Sequence, residues 1–125
     1  MSKFNIVAKG QDLVRKILID SILTNGTDST HNPPFDFVWQ GINIKVKTRT
    51  QSGFMGSKAF MFGSFFPVDN IIYICVAIPK NEEPLFWIVN SKELDKRKVY
   101  YGKIENALKN PEEIKEKILQ KSKIG

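Results

Sequence analysis

Apolar residues recur at intervals of three and four between Gln11 and Leu23, which is the spacing of one face of an amphipathic helix. The positions on this face are Leu13, Val14, Ile17, Leu18, Ile22 and Leu23. The next segment, from Thr24 to Pro34, is dense in turn-forming residues. The pattern therefore predicts a helix over 11–23 that packs on a core, followed by a loop.

After this loop, apolar and polar residues alternate with period two, as in strands that bury one face. The alternation runs through 35–39 and 42–48 around Gln40-Gly41, where glycine supplies the positive φ of a two-residue hairpin turn. In this register Asp36 faces Lys45 across the two strands. One face of the hairpin is uniformly apolar, and the other carries the polar side chains of Asp36, Asn43, Lys45 and Lys47.

Three further strands are predicted near 58–66, 71–78 and 85–89, after a stretch over 50–57 that predicts a flexible loop. Segment 71–78 is apolar on both faces, which indicates a central strand covered on each side. Asn110-Pro111-Glu112-Glu113 has the cap, the N1 proline and the acids of a helix start, so a basic C-terminal helix is expected over about 111–122. The order predicts an α+β or mixed α/β fold, with helices flanking a mixed central sheet.

Composition is typical of a single globular domain. The chain has 125 residues, of which 42% are hydrophobic and 26% charged, and this excludes a disordered or low-complexity protein. No apolar run approaches the roughly 18 residues of a membrane span, and the N-terminus lacks the apolar block of a signal peptide, so we expect a cytoplasmic protein without a membrane partner. Because Cys75 and His31 are the single residues of their kinds, any metal must be held by oxygen.

The net charge of +6 is distributed unevenly. The segment from Phe37 to Val68 contains no acid, and the tail from Ser91 contains more bases than acids. A basic stretch interleaved with phenylalanines suits contact with phosphates and stacking of bases, although lysines that keep a solvated strand edge soluble would give the same pattern. The bases that we expect to contact nucleic acid are Lys45, Lys47, Arg49, Lys58, Lys96, Arg97 and Lys98.

The predicted elements follow a definite order along the chain. A helix comes first, then the segment Phe-Asp-Phe-Val-Trp, a tight turn, the segment Ile-Lys-Val-Lys-Thr-Arg, and two apolar strands. This order resembles the PD-(D/E)XK nuclease superfamily, whose restriction-endonuclease-like fold has an αβββ core. The similarity extends over about residues 10–94. The resemblance implies an endonuclease dependent on Mg²⁺ or Mn²⁺ that hydrolyses phosphodiester bonds, with DNA as the expected nucleic acid and a homodimer as a possible assembly.

The resemblance also implies roles for individual residues. Asp36 matches the first metal-binding aspartate, Lys47 matches the lysine that orients the attacking water, and Asp12 matches an acid on the preceding helix. Lys45 stands where the second carboxylate is expected. An ammonium group about 4 Å from a divalent ion is repelled by up to roughly 8 kcal/mol at an effective dielectric of 20, so this lysine opposes metal binding. A carbonyl ligand from Asn43, or the charge of Asp12, would compensate in part.

The sequence leaves three functions open. The first is a metal-dependent endonuclease, with Asp36, Lys45 and Lys47 as catalytic candidates and Asp12, Asp36 and Asn43 as metal-ligand candidates. The second is a catalytically lapsed relative that binds nucleic acid or a protein partner. The third is an unrelated α+β interaction module.

Overall fold

The computed structural model describes residues 3–23, 36–50, 54–55, 59–63, 65, 71–80, 82–94 and 99–123. Within these residues there are two α-helices, α1 (Lys3–Ile17) and α2 (Pro111–Ser122). The strands are β1 (Ile22–Leu23), β2 (Phe37–Trp39), β3 (Ile42–Thr50), β4 (Phe54–Met55), β5 (Ala59–Phe62), β6 (Ile71–Ile78), β7 (Leu85–Asn90) and β8 (Tyr100–Lys103). Short 3-10 helices follow β7 (Ser91–Glu93) and β8 (Ile104–Asn106). Neither α1 nor α2 is long and apolar enough to cross a membrane.

Five strands form a mixed central sheet in the order β1-β2-β3-β6-β7. Strands β3 and β6 are parallel, and the other neighbours in this sheet are antiparallel. A second, antiparallel sheet has the order β4-β5-β8. Parallel neighbouring strands need a long crossover connection, and β3 and β6 are joined by one that contains β4 and β5. Two strands of the second sheet are therefore part of this connection. The protein is thus α+β with a mixed central sheet.

Strand β6 is the centre of the molecule, and its residues alternate between two cores. Ile72, Ile74 and Val76 pack with residues of both helices, including Val14 of α1 and Ile114 of α2. Its other face packs with the second sheet; the residues of that core include Phe60, Phe62, Tyr73, Cys75 and Trp87. The prediction of a central strand covered on both faces is confirmed. Both helices pack on the same face of the central sheet, and the aromatic face of the second sheet covers the other.

The predicted hairpin is confirmed with its register. Phe37 pairs with Ile44, and Trp39 pairs with Ile42. Gln40 and Gly41 both have positive φ, 50° and 77°, as a two-residue turn of this kind requires. Since β2 pairs only with residues 42–44 of β3, residues 45–50 have a strand neighbour, β6, on one side only within the described sheet.

Helix α1 begins and ends earlier than the predicted range 11–23. Its apolar periodicity continues through Ile22 and Leu23, but these residues form β1 and pair with Val38 and Phe37. The helix stops because a turn intervenes, in which the Ser21 N–H donates to the Leu18 carbonyl at 2.9 Å. Periodicity alone did not detect this end.

Three other predictions concern element bounds. Residues 54–55, expected in a flexible loop, form β4, and the strand expected over 58–66 is the shorter β5. Strand β8 was not predicted, because Tyr-Tyr-Gly-Lys carries little apolar alternation. Helix α2 is confirmed over Pro111–Ser122, and its N-cap Asn110 accepts a hydrogen bond from the Glu112 N–H at 2.8 Å.

Candidate functional site at the open edge of strand β3

A cleft of about 360 Å³ lies along the second half of β3, where β2 has ended. Helix α1 forms one wall with Val7 and Gln11, and β5 forms the opposite wall with Phe62 and the following Gly63. The floor consists of five consecutive residues of β3, Lys45, Val46, Lys47, Thr48 and Arg49. The cleft is therefore bounded by elements from both faces of the central sheet.

Asp36 does not line the cleft itself, but it contacts three residues that do. Its Oδ2 accepts a hydrogen bond from the Val46 N–H at 2.8 Å, and its Oδ1 accepts from Gln11 Nε2 at 3.2 Å. Lys45 Nζ lies 3.5 Å from the same Oδ1. The carboxylate thus takes the place of a neighbouring strand for one edge N–H of β3 and ties α1 to the sheet.

Three basic side chains follow one another at alternate positions of β3. Lys45 and Lys47 are half-buried, and Lys47 Nζ lies 5.4 Å from the centroid of the Phe65 ring, within cation–π range. Arg49 is exposed, and its Nε donates to the Met61 carbonyl at 3.0 Å, which fixes the guanidinium group between β3 and β5. Among the described residues, the cleft is thus lined by three cations, and the Asp36 carboxylate lies beside one of them, Lys45.

The electrostatic state of Lys47 follows from this crowding. Burial lowers the pKa of Lys47 from its ordinary 10.5, and the positive charges of Lys45 and Arg49 lower it further. The negative charge of Asp36 raises the pKa of Lys47 and so opposes these effects. Burial raises the pKa of the neighbouring Cys75 thiol, so this thiol is neutral near pH 7 and adds no counter-charge there. An anion in the cleft would stabilise the charged form of Lys47.

The described residues fit a magnesium ion poorly. Among them, no group of three His, Cys, Asp or Glu side chains could hold a metal. Asp12 is exposed on α1, and the side chain of this helix that contacts Asp36 is that of Gln11. Asn43 pairs with Val38 and Ile71 in the sheet, two residues before Lys45. The ammonium group of Lys45 lies where a second acidic ligand was expected, so the oxygen donors that Mg²⁺ prefers are too few.

Gln11 is the polar wall residue of this site that sequence reasoning missed, along with the wall residues Val7, Phe62 and Gly63. Its position was nevertheless encoded in the helix periodicity, because Gln11 is three residues before the buried Val14 and four after Val7. Asp12 is rotated by about 100° from Gln11 and points away from that face. A strict application of the helical repeat would have placed Gln11 rather than Asp12 beside the hairpin.

The remaining predicted site residues lie outside the described part of the chain. These are Lys58, Lys96, Arg97 and Lys98, and His31 belongs to the same group. Cys75 is fully buried and belongs to the core, as its apolar strand indicated.

No protein-family model matches this chain, and no curated protein or solved structure matches it either. Its function therefore has to be inferred from the cleft.

Proposed function

We propose that this chain is a nucleic-acid-binding protein of the restriction-endonuclease-like type, and that its β3 cleft holds a backbone phosphate. The observation that carries the proposal is the row of Lys45, Lys47 and Arg49 in one cleft, with two of the three side chains half-buried. Partly desolvated cations that repel one another are stabilised by a bound anion. A phosphodiester supplies that charge, and a guanidinium group can engage its oxygens in a planar fork.

The order of elements supports this type of protein. Helix α1 is followed by three antiparallel strands, β1, β2 and β3, with Asp36 immediately before β2 and Lys47 on β3. This is the αβββ order that the resemblance to the PD-(D/E)XK superfamily implies. The net charge of +6 also favours a polyanion over a small anionic ligand.

A magnesium-dependent endonuclease is the second candidate function. It is favoured by the Asp36 carboxylate, which accepts a hydrogen bond from the main chain of Val46 next to Lys47, and by the lowered pKa of Lys47. The charge of Lys45 and the shortage of acidic ligands oppose it, so we expect weak or no cleavage in Mg²⁺ and at most slow cleavage in Mn²⁺.

A salt titration with matched variants tests the proposal. Fluorescence anisotropy would measure the affinity for labelled duplex and single-stranded DNA and RNA between low and physiological salt. Affinity should fall steeply with salt, and removal of one phosphate contact should reduce the logarithmic slope by about one. Lys47→Ala is the cleft variant, and Lys109→Ala removes an exposed lysine that precedes α2 and does not line the cleft.

Two results would overturn the proposal. One is a wild-type protein that binds no nucleic acid at low salt. The other is a salt slope that Lys47→Ala and Lys109→Ala change equally, because the cleft would then contribute nothing beyond the general charge of the protein.

A further inference from the structure

The second sheet has an inner face and an outer face, and consecutive tyrosines of β8 lie on opposite sides. Tyr100 packs with the core of Phe60, Phe62 and Trp87, and burial raises the pKa of Tyr100 to about 12. Tyr101 points the other way and is 43% exposed. Packing of the core therefore explains the position of the partly buried Tyr100 ring but not the exposed ring of Tyr101.

The outer face is connected to the cleft by direct contacts. Tyr101 is the cross-strand partner of Met61 on β5, and the Met61 carbonyl accepts the hydrogen bond from Arg49 Nε at 3.0 Å. Cross-strand side chains have Cβ atoms roughly 5 Å apart, so Tyr101 and Met61 are neighbours on this face. Arg49 also lines the cleft, so it contacts both the candidate phosphate site and the main chain of the residue that pairs with Tyr101.

The charges around Tyr101 favour an anionic partner. Lys103 is exposed two residues further along β8, on the same outer face, and pairs with Ala59 of β5. Neither β5 nor β8 contains an acidic residue. The surface thus combines the Tyr101 ring and the Met61 side chain with the cation of Lys103, and Arg49 is bonded to the main chain of Met61.

We infer that the outer face of β5 and β8, with Tyr101 at its centre, is a stacking platform for bases of single-stranded nucleic acid. The inference rests on the proposed function, since a phosphate of the same strand would lie in the β3 cleft. Every base has a π-face, so stacking on an exposed tyrosine tolerates any sequence, while nearby cations hold the backbone. Bases in a duplex are stacked on each other and paired, and the platform therefore selects single-stranded segments.

The test compares single-stranded and duplex DNA of one sequence by fluorescence anisotropy at low salt. Tyr101→Ala should weaken binding of the single strand about 5- to 150-fold, as expected for the loss of one stacked base, and should leave duplex binding within about twofold. Tyr101→Phe keeps the ring and should bind as the wild type does. Leu119→Ala removes a comparably exposed apolar residue, 37% exposed on α2, and serves as the matched control.

A second measurement uses the wild-type protein alone, so that it does not depend on the folding of a variant. A strand with the same number of phosphates but abasic sites in place of bases should bind at least about fivefold more weakly than the normal strand. Equal affinity for the two strands would overturn the platform.

The failure of the platform can be told apart from the failure of the proposed function. If folded Tyr101→Ala loses affinity equally for single strand and duplex, the platform is wrong and phosphate binding in the cleft stands. If the wild-type protein binds neither form at low salt, both inferences fail.

Discussion

Lys45 Nζ lies 3.5 Å from Asp36 Oδ1, across the junction between β2 and β3. Their side chains are 23% and 14% exposed, so this contact is largely shielded from solvent, and Lys45 also lines the cleft. The same carboxylate accepts hydrogen bonds from the Val46 N–H and from Gln11. Asp36 is therefore engaged as an acceptor on both oxygens, and its pairing with Lys45 leaves the cationic row of β3 as the dominant charge of the cleft.

The first prediction concerns Asp36, whose carboxylate should stabilise the fold but weaken the binding of nucleic acid. Asp36→Ala leaves the Val46 N–H without this acceptor, and unfolding free energy should fall by about 1–3 kcal/mol. Asp36→Asn retains one acceptor oxygen and should lose less. Both variants remove a negative charge beside the cleft, so affinity for nucleic acid at low salt should rise. Urea unfolding and anisotropy measure the two effects, and weaker binding by Asp36→Asn would contradict this account.

The second prediction concerns Lys45. Lys45→Glu places a second carboxylate beside Asp36, on the polar face of the hairpin, and should raise affinity for Mg²⁺ and Mn²⁺. In the absence of metal it should weaken nucleic-acid binding, because the cleft loses a cation and gains an anion. Lys45→Gln is the matched control, since it removes the positive charge without adding a ligand of opposite charge.

Calorimetry with both metals and a cleavage assay on single- and double-stranded substrates measure the outcome for Lys45. Wild-type protein should bind metal weakly and cleave slowly or not at all. Tight Mg²⁺ binding and rapid cleavage by the wild type, lost in Lys45→Ala, would show that this lysine serves the chemistry.

The Asp36–Lys45 contact was predictable because its determinants are local. Strand alternation defines the two faces, and Gln40-Gly41 fixes the register, so the residues opposite one another follow from counting. The bounds of β6 were equally clear, because β6 is apolar at every position and must be covered on both faces.

The second sheet was not predictable, because its pairing joins distant segments. Strand β4 has only two residues, and β8 lies about 40 residues after its partner β5 in the chain, with register Phe60 to Gly102. Gly102 is required there for a tertiary reason, since a Cβ at this position would lie 2.7 Å from the Trp87 ring. No local pattern indicates such a contact. The sequence therefore predicted β3 with Asp36 beside it, and a strand near β5, but it did not place that strand against the cleft.

The third prediction concerns pH and Lys47. Because its pKa is lowered, Lys47 loses its proton in the folded protein at a lower pH than the 10.5 of an ordinary lysine. Nucleic-acid affinity should therefore fall as the pH rises through this lowered pKa. Lys47→Arg stays charged over the whole range, so its affinity should fall less. Parallel pH profiles for the two proteins would show that Lys47 does not contact the ligand.

The lowered pKa of Lys47 also predicts how the free energy of unfolding changes with pH. Between the lowered pKa and 10.5, the unfolded chain binds a proton at Lys47 that the folded protein has released, so this lysine makes unfolding free energy rise with pH. Below the lowered pKa, Lys47 is charged in the folded protein, and the full cost of burying that charge lowers the free energy of unfolding. Lys47→Met removes this contribution, and the difference in unfolding free energy between variant and wild type should narrow as the pH rises through that interval.

The last prediction concerns the close approach of α1 to β3. Gly10 packs against Thr48, and a Cβ at position 10 would overlap the Thr48 hydroxyl oxygen. In a solvent-exposed helix, Gly→Ala normally stabilises by about 1 kcal/mol. Here Gly10→Ala should instead lower unfolding free energy by about 1–3 kcal/mol, because α1 must move away from the sheet. The 3.2 Å hydrogen bond from Gln11 to Asp36 lies one residue further along and should be lost with that movement.

Two further variants separate this steric effect from a general effect on the helix. Gly10→Ala combined with Thr48→Ala should regain part of the lost stability, since the overlapping hydroxyl is gone and only the Thr48 Cβ, 3.0 Å from the added atom, remains. Lys9→Ala changes the neighbouring exposed position of α1 and should leave stability within about 0.5 kcal/mol of wild type. Thermal and urea unfolding measure these differences. A Gly10→Ala protein more stable than wild type would mean that α1 does not depend on this contact, and the α1 wall of the cleft would then need another support.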